Sequence, residues 1–193
     1  MEQYLDAKVK RFVQGRLFSQ IDMAKTILGL AGTHPEEYMK ILPHHKRVIL
    51  VDYNPVNSLV RRNSLVGEFD LVNSQPANYS PITFVDCDFC KSIVVCGDDF
   101  TYIYNKMKKS TVRNQYIAFT FSLRGVGIDK TLNSLRQFMD IPLFVRKQSC
   151  HIHGMQYRQY IMQFADLDNP SIKLPLYIYR DSGDNMISGI IKL

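Results

Sequence analysis

The chain has 193 residues, a formal net charge of +6, and 46% hydrophobic and 11% aromatic residues. This length supports one sizeable core without requiring a second domain, so we expect residues 1–193 to form a single domain. The longest apolar runs are far too short to span a membrane, and no apolar signal region follows the charged N-terminus. These features exclude membrane-spanning and signal-directed classes and predict an intracellular protein.

Basic residues gather in three places: residues 8–11, Arg61 with Arg62, and residues 106–113. Clustered lysine and arginine gain affinity for polyanions because binding releases counterions from phosphates. The clusters therefore favour a nucleic-acid partner. They fit the solvated faces of a moderately basic protein equally well, and the sequence leaves both interpretations open.

The first part of the chain predicts mainly helix. Residues 8–13 fit either a short helix or a first strand. After Gly15, apolar residues recur at three-and-four spacing over residues 17–28, which predicts an amphipathic helix. Thr33 as N-cap, followed by Pro35, predicts a second short helix that ends near residue 42.

The middle of the chain alternates between strand and helix patterns. Strands are predicted at residues 47–51, 69–72, 82–85 and 115–123, and helices at residues 56–63, 98–107 and 128–138. The helix at residues 56–63 would carry Arg61 and Arg62 on its outer face. Such alternation predicts a parallel sheet with helical crossovers.

Beyond residue 140 the pattern changes to strands without intervening helices. Residues 142–146, 157–164 and 176–179 fit strands joined by turns, which indicates an antiparallel edge. The predicted fold is a single Rossmann-like three-layer α/β domain, with a mostly parallel sheet and an antiparallel C-terminal hairpin edge.

The predicted site lies where a buried strand is followed directly by charged residues. The apolar residues 82–85 lead to Asp86 and Asp88, which alternate with Cys87 and Phe89. Ligands of open α/β sheets bind at the carboxyl ends of the parallel strands. Arg124 follows another buried strand at the same edge, where it would either clamp a phosphate or carboxylate of a ligand or pair structurally with Asp52 or Asp86.

The cysteines allow a metal site but do not favour one. Cys87 and Cys90 have the spacing of half a zinc site, and Cys150, His151 and His153 supply a second set of ligands. The two sets are about 60 residues apart, longer than the short spacings of zinc modules. We therefore predict no metal site and reduced thiols in a reducing compartment.

The order of elements resembles the class I S-adenosylmethionine-dependent methyltransferases, in which alternating strands and helices precede a terminal antiparallel hairpin. Residues 48–55, VILVDYNP, look like the second strand of that family, whose terminal acidic residue binds the cofactor ribose. Residues 86–89, DCDF, are similar to the fourth-strand segment of nucleic-acid amino-methyltransferases, which carry Asp or Asn, two prolines and an aromatic residue. Here Cys87 and Asp88 replace the prolines.

The resemblance implies S-adenosylmethionine as cofactor and a nucleic acid as substrate. It implies that Asp52 binds the ribose, although this residue would alternatively cap a following helix. Residues 12–17 contain one glycine where the family has a glycine-rich turn. The implied catalytic residues are Asp86, Asp88 and Phe89, and the implied cofactor-binding residues are Gly15, Asp52 and Asn73. The basic helix face and the position at the sheet edge predict the substrate-binding residues Arg61, Arg62 and Arg124. The alternative is a catalytically inactive Rossmann-like protein for nucleic-acid binding or assembly.

Overall fold

The computed structural model describes residues 7–32, 34–141, 145–151, 160–166, 173–181 and 183–193. In chain order the elements are α1 (Ala7–Phe18), β1 (Met23–Leu30), α2 (Pro35–Met39), β2 (His44–Asp52), β3 (Val60–Arg62), α3 (Leu65–Asn73), β4 (Ile82–Asp88), α4 (Ile93–Lys108), β5 (Tyr116–Ser122), α5 (Ile128–Leu135), β6 (Val145–His151), β7 (Tyr160–Asp166), β8 (Lys173–Asp181) and β9 (Asp184–Lys192). Among the described residues, no helix is both long and apolar enough to cross a membrane.

All nine strands belong to one sheet in the order β3-β2-β1-β4-β5-β9-β8-β7-β6. Strands β1 to β5 pair in parallel, whereas β9 joins β5 antiparallel and the remaining pairs β9–β8, β8–β7 and β7–β6 are antiparallel. The predicted α/β class, with a parallel sheet and an antiparallel C-terminal edge, is confirmed. We call the edge at which β1, β2, β4 and β5 end the carboxyl edge, and the opposite one the amino edge.

The sheet separates two apolar layers. Helices α3, α4 and α5 pack on one face, and α1 and α2 contribute to the other. Because strand side chains alternate, β4 sends Val85 and Cys87 to the first layer, and Phe84 to the second. Asp86 and Asp88 therefore emerge on the face that α1 covers.

The helix predicted over residues 17–28 is wrong. Helix α1 ends at Phe18, and Met23–Leu30 form β1, which pairs with both β2 and β4. A central parallel strand is buried on both faces, so its apolar residues do not alternate and can match a helical spacing. Of the two interpretations of residues 8–13, the helix is correct. The predicted cap Thr33 lies outside the described residues.

Two more predictions, between residues 53 and 73, are wrong: the predicted helix contains a strand, and the predicted strand is part of a helix. Residues 60–62 form β3 rather than helix, because Asn57 Oδ1 accepts the backbone N–H of Leu59 at 2.8 Å and favours a turn. Residues 69–72 are helical rather than extended, since they belong to α3, which is capped by Ser64, whose side chain accepts the N–H of Gly67. That cap, followed by Leu65, was a readable helix signal.

The C-terminal half matches the prediction in type but contains one more strand. The predicted strands at residues 142–146 and 157–164 overlap β6 and β7, and the one at residues 176–179 lies within β8. Residues 142–144 and 157–159 lie outside the described residues. The additional strand is β9, which pairs with β5 from Tyr116↔Lys192 to Ser122↔Met186. This strand joins the parallel and antiparallel halves of the sheet.

Candidate functional site

A cavity of about 320 Å³ opens at the carboxyl edge, within the size range of small-molecule sites. Its walls come from the ends of β1, β2 and β4, from the first turns of α4, and from one residue of α1. Asp52, Asp88 and Phe89 from the predicted site line it. The cavity therefore lies at the edge of the sheet where the sequence predicts a site.

Asp52 ends β2 and is half-buried at the cavity wall. Its Oδ1 accepts the backbone N–H of Asn54 at 2.9 Å, which fixes the turn after the strand. The following element is a turn and β3, so Asp52 caps no helix. A carboxylate has about four acceptor positions, and this single bond leaves the group able to accept ligand hydroxyls.

The turn after β1 brings a glycine to the cavity. Gly32 lines the cavity and has a φ of +63°, a left-handed conformation that favours glycine. Gly29, in β1, lies so close to Tyr38 that an added Cβ would stand 2.4 Å from the Tyr38 Oη. Gly15, the glycine predicted to bind the cofactor, lies instead within α1 beside Ile41, so its predicted position in a turn is wrong. The error follows from taking β1 for a helix.

Asp88 is 3% exposed and is held by three side-chain donors. Its Oδ2 accepts from Lys10 Nζ at 3.0 Å and from Gln14 Nε2 at 3.0 Å, and its Oδ1 accepts from Cys90 Sγ at 2.9 Å. Burial alone would raise the pKa of Asp88, but the Lys10 charge, the Cys90 hydrogen bond and the Arg11 charge together lower it. This carboxylate is ionised at neutral pH.

Helix α1 supplies the counterion and fixes the neighbouring turn. Burial opposes the charge of Lys10, but Asp88 outweighs it and raises the Lys10 pKa. Arg11 donates to Gln14 Oε1 at 2.7 Å and to the carbonyl of Ala31 at 3.0 Å, so one side chain joins α1 to the turn beside Gly32. Sequence reasoning missed these roles, because only the basic cluster at residues 8–11 hinted at them.

Asp86 lies deeper than Asp88 on the same face of β4. It is 1% exposed, and its Oδ2 accepts from the Tyr38 hydroxyl at 2.7 Å, whereas its Oδ1 has no hydrogen-bond partner among the described residues. Burial, with the charge of Asp88, raises the Asp86 pKa to about 7. Asp86 does not line the cavity, so its predicted role of orienting the attacked atom does not match its position.

Phe89 follows β4 and contributes an aromatic wall to the cavity. Its ring stacks on Phe121 of β5, with centroids 6.2 Å apart and an interplanar angle of 15°. Cys90 then adopts a φ of +51°, uncommon for a residue other than glycine. This left-handed residue turns the chain so that its thiol reaches Asp88.

The three predicted substrate arginines differ in their surroundings. Arg61 pairs with the buried Glu68, and Arg124 donates to Asp184 Oδ1 through Nε at 2.9 Å and Nη2 at 2.6 Å. Arg62 is exposed and forms no ion pair with a described residue. Arg124 thus pairs with a carboxylate, but its partner is Asp184, so the predicted pairing with Asp52 or Asp86 is wrong.

Asn73 is remote from the cavity. It ends α3 at the amino edge, where it lines a second cavity of about 270 Å³ beside Ile82, the first residue of β4. Its predicted position near the adenine is therefore wrong, because residues 69–72 form a helix that returns the chain to the opposite edge.

No metal site forms among the described residues. Cys87 is buried in the layer of α3 and α4, and Cys90 reaches Asp88 on the other face of the sheet. Burial raises the pKa of both thiols, so neither is a thiolate at neutral pH. The side chains of Cys150, His151 and His153 lie outside the description.

Comparisons with known proteins bear on the fold. No protein-family model and no curated protein sequence matches the chain. Among solved structures, the N-methyltransferase NodS from Bradyrhizobium japonicum WM9 aligns over 100% of this chain and 98% of its own, with 10% identity and a TM-score of 0.50. A provisionally assigned S-adenosylmethionine-dependent methyltransferase from Streptococcus mutans aligns over 98% of this chain and 49% of its own, with 12% identity and a TM-score of 0.50. The chain therefore has a class I methyltransferase-like α/β fold, and the predicted resemblance is confirmed at the level of the fold.

Proposed function

We propose that this protein is an S-adenosylmethionine-dependent methyltransferase that binds its cofactor in the cavity at the carboxyl edge and methylates a nucleic acid. One observation carries the proposal: Gly32 after β1 and Asp52 at the end of β2 line the same cavity. Adjacent parallel strands thus bring a backbone that a ligand can approach closely next to a carboxylate that can accept two hydroxyls.

The other walls suit the remaining parts of this cofactor. Tyr53, Leu65 and Val95 offer apolar surface for an adenine ring. Lys10 and Asp88 bring opposite charges to the cavity, which complement the carboxylate and ammonium of an amino acid. Each also keeps hydrogen-bonding capacity beyond the contacts described, because an ammonium has three donors and a carboxylate about four acceptor positions.

The bound cofactor would supply a methyl group on a positively charged sulfur. The protein's own contribution would be alignment, since Asp88 is ionised and its Oδ1 can accept an N–H from the attacking amine besides the Cys90 thiol. Phe89 supplies a flat wall against which a base can stack. The net charge of +6 supports a nucleic acid as the methyl acceptor.

The test is a calorimetric and thermal-shift titration of the full chain with S-adenosylmethionine and S-adenosylhomocysteine. At one hundred times its dissociation constant, a ligand of the folded state adds about 2.7 kcal/mol of stability. We expect Asp52→Ala to weaken binding at least tenfold. Asp98 is exposed on α4 and does not line the cavity, so Asp98→Ala is the matched control. This variant should bind the cofactor with unchanged affinity. Absence of binding at millimolar cofactor would refute the proposal.

A second candidate is a catalytically inactive nucleic-acid-binding or assembly protein on the same scaffold. It is favoured by the surroundings of Asp88, because Lys10, Gln14 and Cys90 all bind the carboxylate that a substrate would have to reach. Nucleic-acid binding without cofactor binding in the titration would select this candidate.

A further inference from the structure

The amino edge carries a basic surface remote from the cavity. Its six cations are Arg47 near the start of β2, Lys106 and Lys108 in the last turn of α4, Lys109 and Arg113 in the loop before β5, and Lys192 at the end of β9. Lys192 belongs here because it pairs with Tyr116, the first residue of β5. We call this set the amino-edge surface.

The cations of the amino-edge surface are free of carboxylate partners. None of the six forms an ion pair with a described residue, whereas Lys10, Arg61 and Arg124 each pair with a carboxylate. Three acidic residues also lie towards this edge: Asp22, Asp70 and Asp140. The positive charge therefore does not cover the whole edge and is centred on the end of α4. Asp70 accepts from the Tyr102 hydroxyl at 3.0 Å through both of its oxygens. The basic groups thus remain available to an anion.

Aromatic rings support four of these cations. Arg47 lies over Tyr79 at 4.1 Å, and the lysines at 106, 108 and 192 lie 5.3–5.8 Å from the ring centroids of Tyr102, Tyr104 and Tyr116. A ring on one side orients a cation while its other side stays open to a phosphate. Interleaved cations and rings are typical of surfaces that follow a nucleic-acid backbone.

A polar cavity adjoins the amino-edge surface. It has a volume of about 270 Å³ and is lined by Asn73, Lys106, Ser110 and Gln115, with Asp70 as its acidic member. Amide, hydroxyl and ammonium groups together offer the donors that a phosphate or a base edge accepts. The cavity places specific hydrogen-bonding groups next to diffuse positive charge.

We propose that the amino-edge surface binds the phosphate backbone of a nucleic acid. The seven residues of β4 separate the two edges by about 23 Å, which is the length of about seven base pairs. A nucleic acid held at this surface can therefore extend along the protein to the cavity. The inference deepens the proposed nucleic-acid partner but does not require methyl transfer.

The experiment measures binding of a fluorescein-labelled 24-nucleotide DNA, single-stranded and as a duplex, by anisotropy at several salt concentrations. The test variant changes Lys106, Lys108, Lys109 and Arg113 to Gln. The control changes Lys130 and Arg180 to Gln, two exposed cations on the carboxyl-edge side that do not line the cavity, and it removes the same charge as the double variant Lys109→Gln with Arg113→Gln. We expect the test variant to bind at least tenfold more weakly at 100 mM salt, and its salt dependence to fall by up to about 3.6 in log–log slope. The control should keep most of the affinity and slope.

Three outcomes would overturn the proposal: weakening by the control equal to that by the double variant Lys109→Gln with Arg113→Gln, greater weakening by the control, or binding to anionic phosphatidylserine vesicles without binding to either DNA. Lys109→Gln with Arg113→Gln leaves α4 intact and should still lose several-fold affinity, which guards against misfolding of the fourfold variant. Titration of the fourfold variant with S-adenosylmethionine separates this surface from the cavity, because cofactor binding should be unchanged.

Discussion

The carboxylates at the ends of β2 and β4 line the same cavity but differ in burial and in hydrogen bonding. Asp52 is half-exposed and makes one bond, to the backbone of its own turn. Asp88 is buried under α1 and bonded to side chains from a helix more than seventy residues away in the sequence. The first group is open to reversible binding, whereas the second forms part of the folded core. One cavity thus combines an adaptable end, at Asp52, with a preorganised end, at Asp88.

The largest expected effect is at the preorganised end. Lys10→Met leaves the buried Asp88 without its counterion, and breaking a buried ion pair costs about 3–5 kcal/mol. Urea unfolding should show this loss. The double variant Lys10→Met with Asp88→Asn should recover much of it, because no uncompensated charge remains buried. If Lys10→Met lowered the free energy of unfolding by less than about 1 kcal/mol, the ion pair would not hold α1 in place.

The next effect is the pH dependence of stability that arises from Asp86. Because its pKa rises from 3.8 to about 7 on folding, the folded state holds the proton more tightly than the unfolded chain. The Asp86 contribution to the free energy of unfolding is therefore full below pH 3.8 and decreases as the pH rises to about 7. The decrease is at most about 1.4 kcal/mol per pH unit.

Asp86→Asn isolates this contribution, since an amide of the same shape does not titrate. The stability of the variant relative to the unchanged protein should rise between about pH 4 and pH 7 and stay constant above. Chemical unfolding at each pH measures the difference. A difference that does not vary with pH would contradict the buried, protonatable state of Asp86. Asp88 has the opposite sign, because its lowered pKa stabilises the fold above the unfolded value and this stabilisation is lost in acid.

The same contrast explains what could be predicted from the sequence. Asp52 and β4 were identifiable, because an apolar run that ends in a carboxylate is a local signal. The roles of Lys10, Gln14 and Tyr38 were not identifiable, since each depends on how a helix packs across the sheet. Gly32 was not identified because β1 is buried on both faces and its apolar residues have a helix-like spacing. The glycine turn was therefore predicted near Gly15 instead. Local chemistry was readable, and long-range packing was not.

The smallest effect on stability is expected at Asp52, and it is the most informative about function. Asp52→Asn keeps an oxygen that can accept the Asn54 N–H and removes only the charge, so the free energy of unfolding should change by less than about 0.5 kcal/mol. Binding of S-adenosylmethionine should nevertheless weaken, because a neutral amide accepts hydroxyl bonds less strongly than a carboxylate. Urea unfolding and calorimetry on the same preparation measure both quantities. If stability fell and cofactor affinity did not, Asp52 would be part of the structural frame like Asp88, and the adaptable end of the cavity would have to lie elsewhere.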